Sequence, residues 1–299
     1  MRVDDVDLAV RDSGAGAPFL WGHGLLCSMD QEDAGGLIDW TAFAPDLRLI
    51  RYDARGHGRS EATLDPKGYR WKRLARDLWA LADAIGAERP ALGGVSMGCA
   101  TALHAAVAAP ERVRALVLVG PPTAWDTRPR QARFYRFSAS LVDRFGLGPF
   151  RCLGALSSLG VRDPTLARMQ RSVMEELRRA DRRAVAAALR GAAESDLPAR
   201  RALRSLQVPA LVLAWRGDPT HPLSTAKRLN ELLPASELRV AGSGEEMRAW
   251  PERIRAFLAA AGGKPSPVAG RPRASGSKRP RAAGRARPAG TRRGRAGGA

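Results

Sequence analysis

The 299-residue chain is 44% hydrophobic and 26% charged, a globular composition with enough length for one large core or two modest ones. It has no run of about 18 apolar residues, which argues against a membrane span. Its start, MRVDDVDLAV, has no apolar h-region, which argues against a secretory signal and for a cytoplasmic location. The net charge of +19 is uneven: Gly262–Ala299 carries 11 Lys/Arg and no acid, leaving 38 Lys/Arg against 30 Asp/Glu in residues 1–261.

Short β-like runs alternate with helical ones along residues 1–261. Val6–Arg11 reads as a strand, Ser13-Gly14-Ala15-Gly16 as a turn, and Ala17–Trp21 as a second strand ending at Gly22-His23-Gly24. Leu47–Tyr52 is a third strand. Tyr69–Ile85 is helical, because Leu74, Leu78, Leu81 and Ile85 share one face and Gly86 stands at the stop position. Ala91–Val95 is a strand running into Ser96, and Met97–Ala109 a helix closed by Pro110. Ala115–Val119 and Pro209–Trp215 are near-continuous apolar runs, the kind buried on both faces of a parallel sheet. Ser224–Leu233 reads as a helix, Glu237–Ala241 as an edge strand and Pro251–Ala260 as the last helix.

This alternation predicts an α/β fold with a mostly parallel sheet and helices on both faces. From about Pro121 to Ser205 there is no strand signal. Arg-rich helical segments such as Thr165–Arg179 and Ala184–Ala193 fill that stretch. The expected organisation is a core of residues 1–120 and 206–261, a helical lid over 121–205, and a Gly/Pro/Ala/Arg tail over 262–299. The tail has almost nothing to bury and is expected to be disordered. Its spaced arginines suit a solvated tail or a weak contact with nucleic acid or another polyanion. Cys27, Cys99 and Cys152 are expected to be small buried apolar residues.

Gly94-Val95-Ser96-Met97-Gly98 is a G-x-S-x-G between a predicted strand and a predicted helix. That setting holds a serine on a sharp turn at the carboxyl edge of a sheet. The glycines let strand and helix close on each other without a Cβ clash. With WGHGLL (Trp21–Leu26), YDARGHGRS (Tyr52–Ser60) and GDPTHP (Gly217–Pro222), the chain resembles the α/β-hydrolase family over most of residues 1–261. The resemblance implies an eight-stranded sheet, Ser96 as nucleophile, and an oxyanion hole from the N–H groups of Leu25 and Met97. It also implies Asp218, just past a buried strand, as the acid that orients an imidazole.

The family places its histidine in the loop after the final strand. Here that loop, Ala241 to Trp250, contains none. Of the four histidines, His23 and His57 are expected in structural turns. His104 sits eight residues beyond Ser96 on one helix, about 12 Å along its axis. His221, three residues past Asp218, is the remaining imidazole, with Glu245 and Glu246 as carboxylate alternatives. Two readings follow. One is a serine hydrolase of a small-molecule ester or related acyl compound. The other is a hydrolase fold without catalysis, kept to bind a ligand or partner. No metal or cofactor is expected, since no His/Cys/carboxylate cluster has ligand spacing. Phe134, Tyr135, Phe137 and Leu141 in the lid fit either a hydrophobic pocket or ordinary core packing.

Overall fold

The computed structural model describes residues 1–43, 46–157, 163–218 and 220–262. Strands β1 (Arg2–Val3) and β2 (Val6–Asp7) form a small antiparallel ladder. The main sheet contains β3 (Val10–Ser13), β4 (Ala17–Gly22), β5 (Leu47–Tyr52), β6 (Ala91–Val95), β7 (Ala115–Val119), β8 (Ala210–Trp215) and β9 (Ser236–Ala241), in the order β3-β5-β4-β6-β7-β8-β9. Only β3 is antiparallel to its neighbour.

The main sheet thus has seven strands among the described residues, one fewer than expected. The predicted strand Val6–Arg11 is broken at Leu8-Ala9. Leu8 is buried and donates its N–H to Met1 O (2.9 Å), while the Ala9 N–H goes to Ser60 Oγ (2.9 Å). These two donors are used outside the sheet, so the segment cannot continue as one strand.

The parallel strands alternate their side chains between two cores. Leu20, Ile50, Leu92, Leu116, Leu118 and Val212 face one side. There they meet α2 (Trp71–Ala84), α3 (Met97–Ala108) and α9 (Leu223–Leu232). Phe19, Leu49, Val117, Leu211 and Leu213 face the other, against α11 (Trp250–Gly262). Helix α2 begins two residues later than the periodicity predicts, because Pro66–Tyr69 forms a 3-10 turn before it.

Between β7 and β8 the described residues contain helices and no strand: α4 (Arg128–Phe145), α5 (Leu147–Ser157), α6 (Pro164–Arg179), α7 (Arg182–Ala193) and α8 (Arg200–Arg204). Helix α6 packs on α1 (Met29–Gly35), an element with no signal in the periodicity. Gln31 Nε2 donates to Ser172 Oγ (2.7 Å) across that contact. Among the described residues no helix is long and apolar enough to cross a membrane. Residues 263–299, the basic tail, lie outside the described residues, and Gly262 belongs to α11.

Candidate active site

Strands β4 to β9 run parallel, so their carboxyl ends collect on one edge of the sheet. A cavity of about 1300 Å³ opens there, walled on the far side by α4, α5 and α6. Ser96, Leu25, Asp218 and His221 line it.

Ser96 stands between β6 and α3 with φ +53° and ψ −104°, a backbone conformation an L residue rarely adopts. The glycines on either side make it possible. A Cβ at Gly98 would lie 2.0 Å from Gly22 O, and one at Gly94 2.3 Å from the same oxygen. Strand β4, strand β6 and helix α3 therefore touch backbone to backbone, as the motif predicts. Leu26 is also left-handed, at φ +61°. Two of the four non-glycine residues with positive φ among the described residues thus line this cavity, and strain of that kind collects at functional sites.

His23 holds the turn beside Ser96. Its Nε2 accepts from Ala54 N (2.9 Å), so its Nδ1 donates to Gly24 O (2.7 Å), and its own carbonyl accepts from Gly98 N (3.1 Å). Burial pushes its pKa down to about 4, against small opposition from the Gly24 bond. His57, buried 5.1 Å away ring to ring, is pushed down to about 3, first by burial and then by His23. Both are neutral structural groups, as expected. His104 donates from Nε2 to the Asp196 backbone carbonyl (2.8 Å), far from Ser96 along α3. Since a carbonyl only accepts, that nitrogen carries the proton.

The N–H groups of Leu25 and Met97 have no acceptor among the described residues. Met97 opens α3, where the first N–H groups lack an intrahelical partner and the helix dipole favours negative charge. Under the turn, Cys99 Sγ satisfies Gly94 O (3.0 Å) and Val119 O (3.1 Å), and burial pushes its thiol pKa up. Of the three cysteines expected to be buried, only Cys99 fully is. Cys27 is half-buried because it lines the cavity, and Cys152 is exposed on α5.

Asp218 and His221 meet on the loop after β8. Asp218 Oδ1 accepts from Thr220 N (2.8 Å) and His221 N (3.1 Å), while its Oδ2 pairs with His221 Nδ1 (2.7 Å). The Asp218 side chain is only 5% exposed and that of His221 16%. The imidazole stands edge-on to Trp215, ring centroids 5.6 Å apart. It also rests on Gly120, where an added Cβ would lie 3.5 Å from His221 Cγ. Gly120 follows Val119, whose carbonyl accepts the Ser96 N–H (3.1 Å). His221 is thereby packed beside the backbone that carries the serine. His221 Nε2 and Ser96 Oγ have no hydrogen-bond partner among the described residues.

The loop after β9 presents Gly242, Ser243 and Gly244 to the cavity. Both glutamates are exposed outside its wall, and Glu246 Oε2 is occupied by the Gly242 N–H (2.8 Å). The structure thus leaves Glu245 and Glu246 away from the cavity and brings Asp218 and His221 into it.

Glu32 is a wall residue that the sequence reading missed. Its carboxylate accepts from Trp21 Nε1 (3.0 Å) and Arg51 Nη2 (3.1 Å), and burial pushes its pKa up to about 7 despite Arg51. Its position on α1, which lacked a periodic signal, hid it. Among the lid aromatics, Phe134 and Tyr135 line the cavity, while Phe137 is 60% exposed and fits neither reading offered for it.

A sequence profile described as the alpha/beta hydrolase fold matches residues 18–247. The chain is 28% identical over 202 residues to 3-oxoadipate enol-lactonase 2 of Acinetobacter baylyi, covering 64% of this chain and 69% of that protein. It is 28% identical over 253 residues to 2-hydroxymuconate semialdehyde hydrolase of a Pseudomonas species, covering 78% and 81%. Two other curated relatives, at 34% and 35% identity, are spanned over 41% and 54% of their own lengths. Among solved structures, a thermophilic esterase from Thermogutta terrifontis superposes with a TM-score of 0.72 at 25% identity, covering 86% of this chain and 94% of the esterase.

Proposed function

The chain belongs to the α/β hydrolase fold family, and from that premise we propose that it is a serine hydrolase that cleaves an ester or related acyl bond in a small molecule. The observation that carries this reading is the Asp218–His221 pair, 2.7 Å apart, in the wall of the cavity that holds Ser96.

In this reading Ser96 Oγ attacks the acyl carbon and gives its proton to His221 Nε2. Asp218, bound at Nδ1, keeps the imidazole in the tautomer whose Nε2 lone pair is free, and stabilises the imidazolium that forms. The N–H groups of Leu25 and Met97 receive the oxyanion, worth ~3–4 kcal/mol each when aligned. As the tetrahedral intermediate collapses, His221 returns the proton to the leaving group. Water then attacks the acyl-serine with His221 as base and releases the acid. Ser96 Oγ and His221 Nε2 are expected to form their hydrogen bond as substrate binds, because catalytic hydrogen bonds commonly tighten only in the substrate complex. Helices α4 to α6 serve as the lid, and their cavity-facing side chains, among them Phe134, Tyr135 and Met174, favour a partly apolar acyl compound.

The second reading, a ligand-binding fold without catalysis, draws support from the missing histidine after β9. Hydrolysis of a short-chain p-nitrophenyl ester by wild type and Ser96→Ala separates the two. The hydrolase reading expects turnover that Ser96→Ala abolishes. Equal background rates in both folded proteins contradict it.

A further inference from the structure

Five large hydrophobic side chains are strongly exposed among the described residues, and three of them are on helix α4: Phe134 at 43%, Phe137 at 60% and Phe145 at 60%. With half-buried Leu141 they follow at intervals of three, four and four residues. At 3.6 residues per turn, this puts all four within about 80° of the helix circumference. The stripe is therefore continuous from Phe134 to the C-terminal end of the helix. The opposite face of α4 is committed to the fold, where Ala139 and Val142 pack with Leu177, Val185 and Leu189.

The solvent side of the stripe is cationic. Arg133, Arg136 and Arg144 flank it, and Arg130, which also lines the cavity, continues its line one turn before Phe134; all four are exposed, and none has a carboxylate partner among the described residues. Arg144 lies over the Phe145 ring, 5.5 Å from its centroid. The helix has one acid, Asp143, and it is held by Arg190 of α7. Arginine stems of this kind lie along apolar surface while the guanidinium reaches polar groups.

We propose that α4 is an interfacial helix that docks the protein on an anionic lipid surface, its phenylalanine stripe entering the headgroup boundary and its arginines meeting lipid phosphates. Apolar residues on one face and unpaired cations beside them are the two signals reversible membrane binding requires together. Charge selects this occupant over a second copy of the chain, since pairing two such faces brings eight unpaired guanidiniums together. Phe134 belongs both to the stripe and to the cavity wall, so docking sets that side of the cavity against the lipid surface. The inference stands on α4 alone and does not require the serine mechanism.

The test is sedimentation of the full chain with phosphatidylcholine vesicles, with and without about one-third phosphatidylglycerol. Wild type is expected to bind the anionic vesicles, and Phe137→Ser/Phe145→Ser to bind about tenfold more weakly with unchanged thermal unfolding, as both side chains are exposed. Arg133→Gln/Arg136→Gln/Arg144→Gln is expected to weaken binding and flatten its salt dependence. Three results overturn the proposal. One is no binding by wild type. Another is equal binding by the phenylalanine variant, which assigns the contact to charge elsewhere. The third is a vesicle-free dimer in sedimentation velocity that Phe137→Ser/Phe145→Ser dissolves, which assigns the stripe to a second copy.

Discussion

The turn after β6 and the loop after β9 finish at the same edge of the sheet, and they are built under opposite constraints. The turn is fixed to within a methyl group: neither Gly94 nor Gly98 has room for a Cβ, and Ser96 is held left-handed. The β9 loop tolerates Gly242, Ser243 and two exposed glutamates, and sends no titratable side chain into the cavity. Between them lies the loop after β8, where Asp218 holds His221. On the proposed mechanism, the site keeps a sterically demanding element while its proton-handling element comes from another strand end, which is open to it because parallel strands bring all their carboxyl ends together.

The largest expected effects test which loop supplies the base. Ser96→Ala and His221→Ala are each expected to lower ester hydrolysis about a thousandfold or more, and the double variant no further, because the two act as a unit. Asp218→Asn is expected to cost up to about 10⁴-fold by favouring the wrong imidazole tautomer. Steady-state rates on one ester measure all of these.

Next in size is the steric demand of the turn. Gly98→Ala puts a methyl 2.0 Å from Gly22 O, and is expected to destabilise by about 4 kcal/mol or more, read by thermal unfolding. A variant as stable as wild type would remove the contrast with the β9 loop.

The buried histidines give a pH signature. His23 and His57 are pushed down to about 4 and about 3, well below the ordinary 6.5 they regain on unfolding. The unfolded chain then binds more protons as pH falls. Stability is complete above about pH 6.5 and drops towards pH 4, by on the order of 3 kcal/mol for His23. The unfolding midpoint measured against pH should show this decline, and His57→Asn should make it shallower.

The smallest effect belongs to the β9 loop. Glu246→Gln weakens the acceptor of the Gly242 N–H and is expected to cost about 0.5–1 kcal/mol of stability, with hydrolysis within about twofold of wild type.

The sheet was legible because buried parallel strands are long apolar runs: Ala91–Val95 and Ala115–Val119 appear with the predicted bounds. The elbow was legible because its constraint is steric and local. Asp218 and His221 could be paired from their spacing of three residues, whereas the packing of His221 on Gly120 and Trp215 depends on contacts across strands. Helix α1 and its wall residue Glu32 stayed hidden because seven residues give little periodicity. The seven strands of the main sheet were each legible as a β-like run, the figure of eight having come from the family resemblance alone, while Val6–Arg11 was read as unbroken because Leu8 is apolar like a strand residue although its N–H bonds Met1. Phe137 was weighed only as core or pocket, since the sequence does not tell which apolar face of a helix stays uncovered.

The most direct test is the rate at which a fluorophosphonate labels Ser96 in wild type, His221→Ala and Glu245→Gln/Glu246→Gln. An activated serine based on His221 predicts labelling that survives in the glutamate variant, and falls about a hundredfold or more in His221→Ala. Labelling that is unchanged in His221→Ala, or lost in the glutamate variant, would contradict the assignment of His221 as the base.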